Sequence, residues 1–251
     1  MSNIYETGQS VSEYLHFHFG MAEEQLPWAF GPVSALDYPV RCVEDCFELG
    51  ELNEESRALD IGCAVGRSSF ELARYCGEVI SIDYSHAFIE AARELAEKRT
   101  LTYHYRVEGD RSAEARARIP DLYPVHRVHF EQGDAMDLRP DLGAFDAVLA
   151  ANLVCRLTHP GRFLVRCRDL VLPGGQLVIT TPFTWLEDYT DPDQWIGGHP
   201  ETGESVEALR KLLEADFELE ATQDLPFLIR EHRRKYQWSV AQSCRFRRLT
   251  A

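Results

Sequence analysis

The chain is short of positive charge, of long apolar runs and of paired cysteines, and each shortage removes a class of function. Its 26 Lys and Arg stand against 41 Asp and Glu, a formal net charge of −15. Bulk-charge binding to nucleic acid is therefore excluded, and no nucleic-acid partner is expected. The longest uninterrupted apolar stretches, such as Ala147 to Ala151, fall far below the roughly 20 residues that cross a bilayer, so no membrane partner is expected either. The opening M-S-N-I-Y-E-T carries acid and no basic segment, unlike a secretory signal. Cysteine is present seven times, an odd number with no C-x-x-C pair, which suits reduced thiols and a cytoplasmic location better than a disulfide framework. No zinc-ligand spacing occurs, so no metal is expected; Cys42 and Cys46, one helical turn apart, read as packing. Repeats, low-complexity tracts and linkers are missing too. What is there is 45% hydrophobic and 11% aromatic residues over 251 positions, enough for one sizeable core.

The first half alternates helical and strand signals. Apolar spacing is helical over Ser12 to Phe19 and Tyr38 to Leu49, then β-rich over Arg57 to Ile61, helical over Ser68 to Cys76 and β-rich again over Glu78 to Ile82. Ser85 is placed to cap a helix carrying Phe88, Ile89, Ala92 and Leu95. Further strands are expected over Arg127 to Gln132, Phe145 to Ala151 and Gln176 to Thr180, with a helix over Gly161 to Leu170 that the glycines of L-V-L-P-G-G would end. After Thr181 come a helix, Ser205 to Ala215, and two strands, Phe217 to Gln223 and Tyr236 to Arg245, with no crossover helix between them. Arg99 to His126 reads as a mixed-charge insertion. The pattern predicts an α/β fold: a seven-stranded, mostly parallel sheet with an antiparallel edge, helices on both faces and an N-terminal helical cap. We expect a single domain over 1–251, with the cap over 1–50 and the α/β core over 51–251.

The most informative segment is A-L-D-I-G-C-A-V-G (58–66), which leaves a strand and enters a helix. Gly62 and Gly66 allow a sharp turn and close approach to a ligand. Asp83, at the tip of the next strand, is suited to accept both hydroxyls of a ribose. The spacing is G-x-x-x-G rather than G-x-G-x-x-G, and Asp60 beside the loop would repel a pyrophosphate; an acid there suits an ammonium or sulfonium group instead. Asp134 falls after the third strand, where an adenine edge would lie. The plainer alternative is that the glycines close a turn and Asp83 caps a helix, but all these positions fall at strand C-termini, where such sheets bind ligands.

Together these features resemble the Rossmann-like class I methyltransferases that use S-adenosylmethionine. The resemblance implies a cofactor set of Asp60, Gly62, Cys63, Ala64 and Gly66 in the loop, Asp83 and Tyr84 after the second strand, Asp134, Ala135 and Met136 after the third, and Ala151 at the end of the fourth. A narrower resemblance covers essentially the whole chain. A-L-D-I-G-C-A-V-G-R-S-S-F-E-L-A-R (58–74), L-A-A-N-L-V-C-R-L (149–157), T-P-F-T-W-L-E-D-Y-T (181–190), Y-Q-W-S-V (236–240), Y-E-T (5–7) and Y-L-H-F-H-F-G (14–20) look like the thiohistidine N-methyltransferases of ovothiol biosynthesis. It implies transfer of a methyl group to the imidazole nitrogen of 5-thiohistidine, a small histidine-derived acceptor; the selenium analogue would fit the same site. In that family the domain is often fused behind an iron-dependent sulfoxide synthase. This chain starts at Met1 without a histidine-rich iron motif, so such a synthase is expected as a separate partner.

Acceptor and catalytic candidates come from the cap and the strand-end loops. Tyr14, His18 and Asn152 are the catalytic candidates. His16 and His18, two apart on a helix, cannot face the same way, and His18 pairs with Tyr14 on one face. Arg156 could clamp the amino-acid carboxylate bidentately or cap a turn. Phe183 and Trp185 could stack on the imidazole or simply fill the core. Arg230, His232 and Tyr236, in and beside the basic run 230–235, complete the acceptor set, with a solvated loop as the alternative. Two other functions stay in view: methylation of another small imidazole or amine, and a non-catalytic cofactor-binding scaffold for the sulfur-inserting enzyme.

Overall fold

The computed structural model of the protein describes residues 4–250, so the outermost positions of the predicted cap and core lie outside the described residues. The cap opens with α1 (Gly8–Phe19), whose first turn is closed by the Thr7 hydroxyl accepting from Ser10 N. It continues through α2 (Ala22–Gln25) and α3 (Tyr38–Glu44). The core follows as β1 (Arg57–Ile61), α4 (Arg67–Leu72), β2 (Glu78–Asp83) and α5 (His86–Lys98), with Ser85 capping α5 as its sequence position suggests. Next come β3 (Thr100–Glu108), β4 (Arg111–Arg118), β5 (Val128–Gln132), β6 (Phe145–Ala151), α6 (Pro160–Leu170), β7 (Val171–Thr181), α7 (Ser205–Leu213), β8 (Phe217–His232) and β9 (Lys235–Arg248).

Seven strands form one sheet in the order β5-β2-β1-β6-β7-β9-β8. The first five are parallel, and β9 runs antiparallel between β7 and β8. The antiparallel strand thus lies one place in from the edge. Successive residues of a strand face opposite ways, and this sorts the core into two layers. Ala58, Val79, Ala147, Leu149 and Val178 face the layer covered by α1, α3, α4 and α5. Leu59, Ile61, Ile80, Val148, Leu177 and Ile179 face the layer covered by α6 and α7. Because both faces are covered, these strands read as near-continuous apolar runs.

Three expectations change. The mixed-charge insertion is a β-hairpin, β3–β4, packed beside the cap: the His16 ring stacks on Tyr105 at 4.2 Å. The β8–β9 hairpin is longer than its apolar segments suggest, so Arg230 and His232 lie in a strand rather than a loop. The α6 helix ends at Leu170 with Val171 extended, and Gly174 (φ +80°) sits inside β7 instead of ending the helix. All seven cysteines are free and buried. Among the described residues no helix is long and apolar enough to cross a membrane, and no group of His, Cys, Asp or Glu is arranged to hold a metal ion.

Candidate functional site

The parallel strands all end on one side of the sheet, and the loop after β1 turns sharply there. Gly62 N and Cys63 N both donate to Ile82 O, at 2.8 and 3.2 Å. The chain then takes three left-handed steps, at Gly62 (φ +77°), Ala64 (+48°) and Gly66 (+86°). A Cβ on Gly66 would lie 2.7 Å from the Phe130 ring, so only glycine lets the loop settle against β5. Ala64, the non-glycine step, is held by its N–H donating to Asp83 Oδ2 at 2.8 Å, while Ser85 N donates to Asp83 Oδ1 at 2.9 Å. The ribose-binding candidate is therefore fixed by the loops of two adjacent strands, and burial pushes its carboxyl above the usual range.

Asp60 is fully buried in β1. Its Oδ2 accepts from the Ser68 and Ser69 hydroxyls, both at 2.7 Å, while Oδ1 has no protein partner. Burial pushes this carboxyl up to about 6 against the two serine bonds, and Asp83 adds to the rise. A buried acceptor with an open lone pair calls for a donor from outside the chain, and a cationic N–H donor would also offset the buried charge. The residues present thus fit a ligand with an ammonium and a ribose, and do not fit a pyrophosphate. Cys63 is buried within the loop. After β5, where the adenine candidates stand, Gly133 N donates to Asp83 O, and Asp134 Oδ1 accepts from Met136 N at 2.8 Å. Ala135 and Met136 line a cavity of about 310 Å³ with Leu138 and Phe163. Tyr84 is exposed, and its carbonyl accepts from the Gln132 side chain.

Across the loop, the N-terminal segment is tied down beside Asp83. The Glu6 carboxylate accepts from His86 N and Ala87 N at 2.9 and 3.1 Å, a favourable charge at the start of α5, and Ser85 Oγ donates to Tyr5 O. Tyr14 packs on Phe88 (4.7 Å between ring centroids), Tyr5 (6.0 Å) and His18 (5.9 Å). Burial pushes the Tyr14 hydroxyl up to about 12, with Asp83 adding and Arg156 opposing. Burial likewise raises Tyr5, helped by Tyr14 and by a hydrogen bond with Tyr189. The Arg156 guanidinium lies 4.9 Å from the Tyr189 ring centroid, and its Nη1 donates to Cys155 O and Thr184 O. Arg156 therefore caps turn carbonyls, the plainer of its two expected roles, and also points its charge at the tyrosine cluster. Asn152, just past Ala151, is left-handed (φ +51°); its N–H donates to Thr180 O at 2.7 Å and its Oδ1 accepts from the Tyr38 hydroxyl at 2.9 Å.

The structure thus gathers Tyr14, Arg156 and Asp83 into one cluster, with His18 beside Tyr14 and Asn152 held at the end of β6. The other acceptor candidates have partners of their own elsewhere in the fold. Arg230 is buried under the cap, its guanidinium donating to Glu24 O and lying 5.0 Å from the Tyr105 ring centroid. His232 Nδ1 accepts from Arg234 N and the Tyr236 hydroxyl donates to Arg233 O, so both close the tip of the β8–β9 hairpin. The Trp185 indole donates to Ser205 Oγ at 3.1 Å and stacks with Trp195, and it packs with Phe183 against the α6–α7 layer. His18 is held neutral, its ring lowered to about 3 by burial and by Arg67, which makes it too weak a base to take a proton at neutral pH. Residue patterns did not single out Tyr5, Tyr38, Tyr189, Ser68 or Ser69; only their neighbours in space give them a role.

Residues 59–179 match a family model described as a methyltransferase domain. The ubiquinone biosynthesis O-methyltransferase of Bradyrhizobium sp. (strain ORS 278) is 31% identical over 125 residues, 50% of this chain and 39% of that protein. Its counterpart in Cereibacter sphaeroides is 32% identical over 128 residues, 51% of this chain and 42% of that protein. The chain thus spans about two-fifths of the length of these curated relatives. Among solved structures, the N-methyltransferase NodS from Bradyrhizobium japonicum in complex with S-adenosyl-l-homocysteine superposes with a TM-score of 0.58 at 15% identity, covering 97% of this chain and 98% of that one. That likeness is one of fold.

Proposed function

We propose that the chain, whose residues 59–179 match a methyltransferase-domain model, is a class I S-adenosylmethionine-dependent enzyme that methylates a ring nitrogen of 5-thiohistidine to give ovothiol. The observation that carries the acceptor reading is the cluster of Tyr5, Tyr14 and Tyr189 with one arginine, Arg156, beside Asp83. Three phenol rings offer flat walls to a small aromatic ring, and one guanidinium offers a partner to a single carboxylate. A small aromatic amino acid matches both. The whole-chain resemblance to the thiohistidine enzymes narrows that class to this acceptor, and the selenium analogue shares the reading.

When bound, S-adenosylmethionine supplies a methyl group on a sulfonium sulfur, already electrophilic. The work left to the chain is placement. Asp60 meets the ammonium with its open Oδ1, and Asp83 faces the ribose hydroxyls. Arg156 holds the acceptor carboxylate while the tyrosine walls set the plane of the imidazole, so that a ring nitrogen rather than the sulfur faces the methyl carbon. Tyr14 stays protonated at neutral pH because burial raises its hydroxyl; it positions and does not act as a base. The ring proton displaced on alkylation leaves to solvent, and neither Tyr14 nor His18 is needed to remove it. Cytoplasmic location and functional pairing with a sulfur-inserting, iron-dependent enzyme that supplies the acceptor belong to the same proposal.

The curated relatives' names favour a second reading, methylation of an oxygen acceptor, though their likeness extends over only half of this chain. Initial rates with Arg156→Gln separate the two. With 5-thiohistidine the KM should rise about 10- to 100-fold, the loss of one charged hydrogen-bonded pair, and with its decarboxylated amine it should not change. Equal KM shifts for both compounds would remove Arg156 from carboxylate recognition.

A further inference from the structure

Two more buried polar atoms lack partners close to the glycine loop: His18 Nδ1 on the cap and Arg67 Nη1 immediately after Gly66. They sense each other, since the Arg67 charge is one cause of the depressed His18 ring. Their surroundings are aromatic. The Arg67 guanidinium lies 5.7 Å from the Phe19 ring centroid and 5.5 Å from that of Tyr123. The buried acid that Arg67 influences, Glu71, is already engaged by Arg74 and by the Tyr123 hydroxyl at 2.9 Å. A guanidinium and a ring N–H, dry, adjacent and without an anion of their own, describe an anion subsite.

The sign of this subsite is opposite to that of Asp60. Asp60 stands just before the loop with an open acceptor, and Arg67 stands just after it with an open donor. One end of the loop wants a cation and the other an anion, which is the charge pattern of an α-amino acid. We propose that His18 and Arg67 bind the α-carboxylate at the amino-acid end of the cofactor, with Asp60 on its ammonium. This moves His18 from the acceptor, where its sequence position put it, to the cofactor. The inference rests on the cofactor alone and is independent of which acceptor is methylated.

Calorimetric titration with two ligands tests it: S-adenosylhomocysteine, which has the amino-acid end, and 5′-methylthioadenosine, which keeps the adenosine and sulfur but lacks it. In Arg67→Gln the Kd for S-adenosylhomocysteine should rise at least about tenfold, the loss of a charged hydrogen-bonded pair, while that for methylthioadenosine stays within about twofold. Arg67→Lys should fall between wild type and Arg67→Gln. His18→Asn, read with the same ligand pair, provides the result should the Arg67 variants not fold. Parallel weakening of both ligands would mean that Arg67 only props the loop, and would overturn the proposal. So would an unchanged S-adenosylhomocysteine affinity accompanied by a raised acceptor KM, which would give the subsite to the acceptor. Failure of the wild-type protein to bind either ligand would overturn the cofactor reading as well as this one.

Discussion

Replacing Asp60 by asparagine should make the ligand-free protein more tolerant of rising pH than the wild type. Folding lifts this carboxyl from its ordinary 3.8 to about 6, chiefly by burial. Between those values the unfolded chain has lost the proton and the folded chain still holds it, so wild-type stability falls as pH rises. The rise corresponds to about 3 kcal/mol, lost progressively between about pH 4 and pH 7. The asparagine amide cannot titrate. It brings its own offset, because it sits in the same sparsely bonded site, but an offset of about 1–3 kcal/mol does not vary with pH. The difference between variant and wild type cancels the other carboxylates, which are common to both. Urea unfolding of the two ligand-free proteins at half-unit pH steps reads that difference directly. It should move by about 3 kcal/mol in favour of the variant over this window, and less with S-adenosylhomocysteine bound, because the ligand's ammonium then faces the ionised acid. A flat difference would refute the account of Asp60 as a buried, under-partnered acid kept for a cationic ligand.

Asp83→Ala removes the acceptor for the ribose hydroxyls and should weaken S-adenosylhomocysteine binding by about 1–3 kcal/mol; unchanged affinity by calorimetry would take the ribose role from Asp83. Gly66→Ala places a methyl against the Phe130 ring in a left-handed conformation, so its thermal midpoint should drop and its cofactor affinity with it. A variant that binds as tightly as wild type would show that the loop has slack. Trp185→Phe loses the indole bond to Ser205 and should cost about 1 kcal/mol of stability with no change in acceptor KM. A raised KM at unchanged stability would return Trp185 to the acceptor site.

The sheet and the cofactor loop were legible because they depend on local pattern. Strands buried on both faces show as short apolar runs, and Asp60, Gly62, Gly66 and Asp83 stand at their ends, where the fold puts ligands. The β3–β4 hairpin was not legible: one face of T-L-T-Y-H-Y-R-V-E is largely exposed and its partner R-S-A-E-A-R-A-R buries only alanines deeply, so charge masks the alternation. The reach of β8 was hidden by the exposed residues between its buried ends, and with it the burial of Arg230. The acceptor side was legible only in part. Tyr14 and His18 share a helix face, a short-range fact. Tyr189 and Arg67 join them through contacts far apart in the chain, and no spacing encodes those. The two histidines divided as helix geometry requires, His16 toward Tyr103 and Tyr105 and His18 toward Arg67.

The central claim is the acceptor, and the product tests it most directly. The purified protein, kept under reducing conditions, is incubated with S-adenosylmethionine and separately with 5-thiohistidine, its selenium analogue, histidine and a catechol. Products are then located by tandem mass spectrometry. The account predicts one added methyl on a ring nitrogen of the thio or seleno compound, with histidine and the catechol left unmodified. Methylation of the catechol oxygen, or of the sulfur in place of the ring, would contradict it.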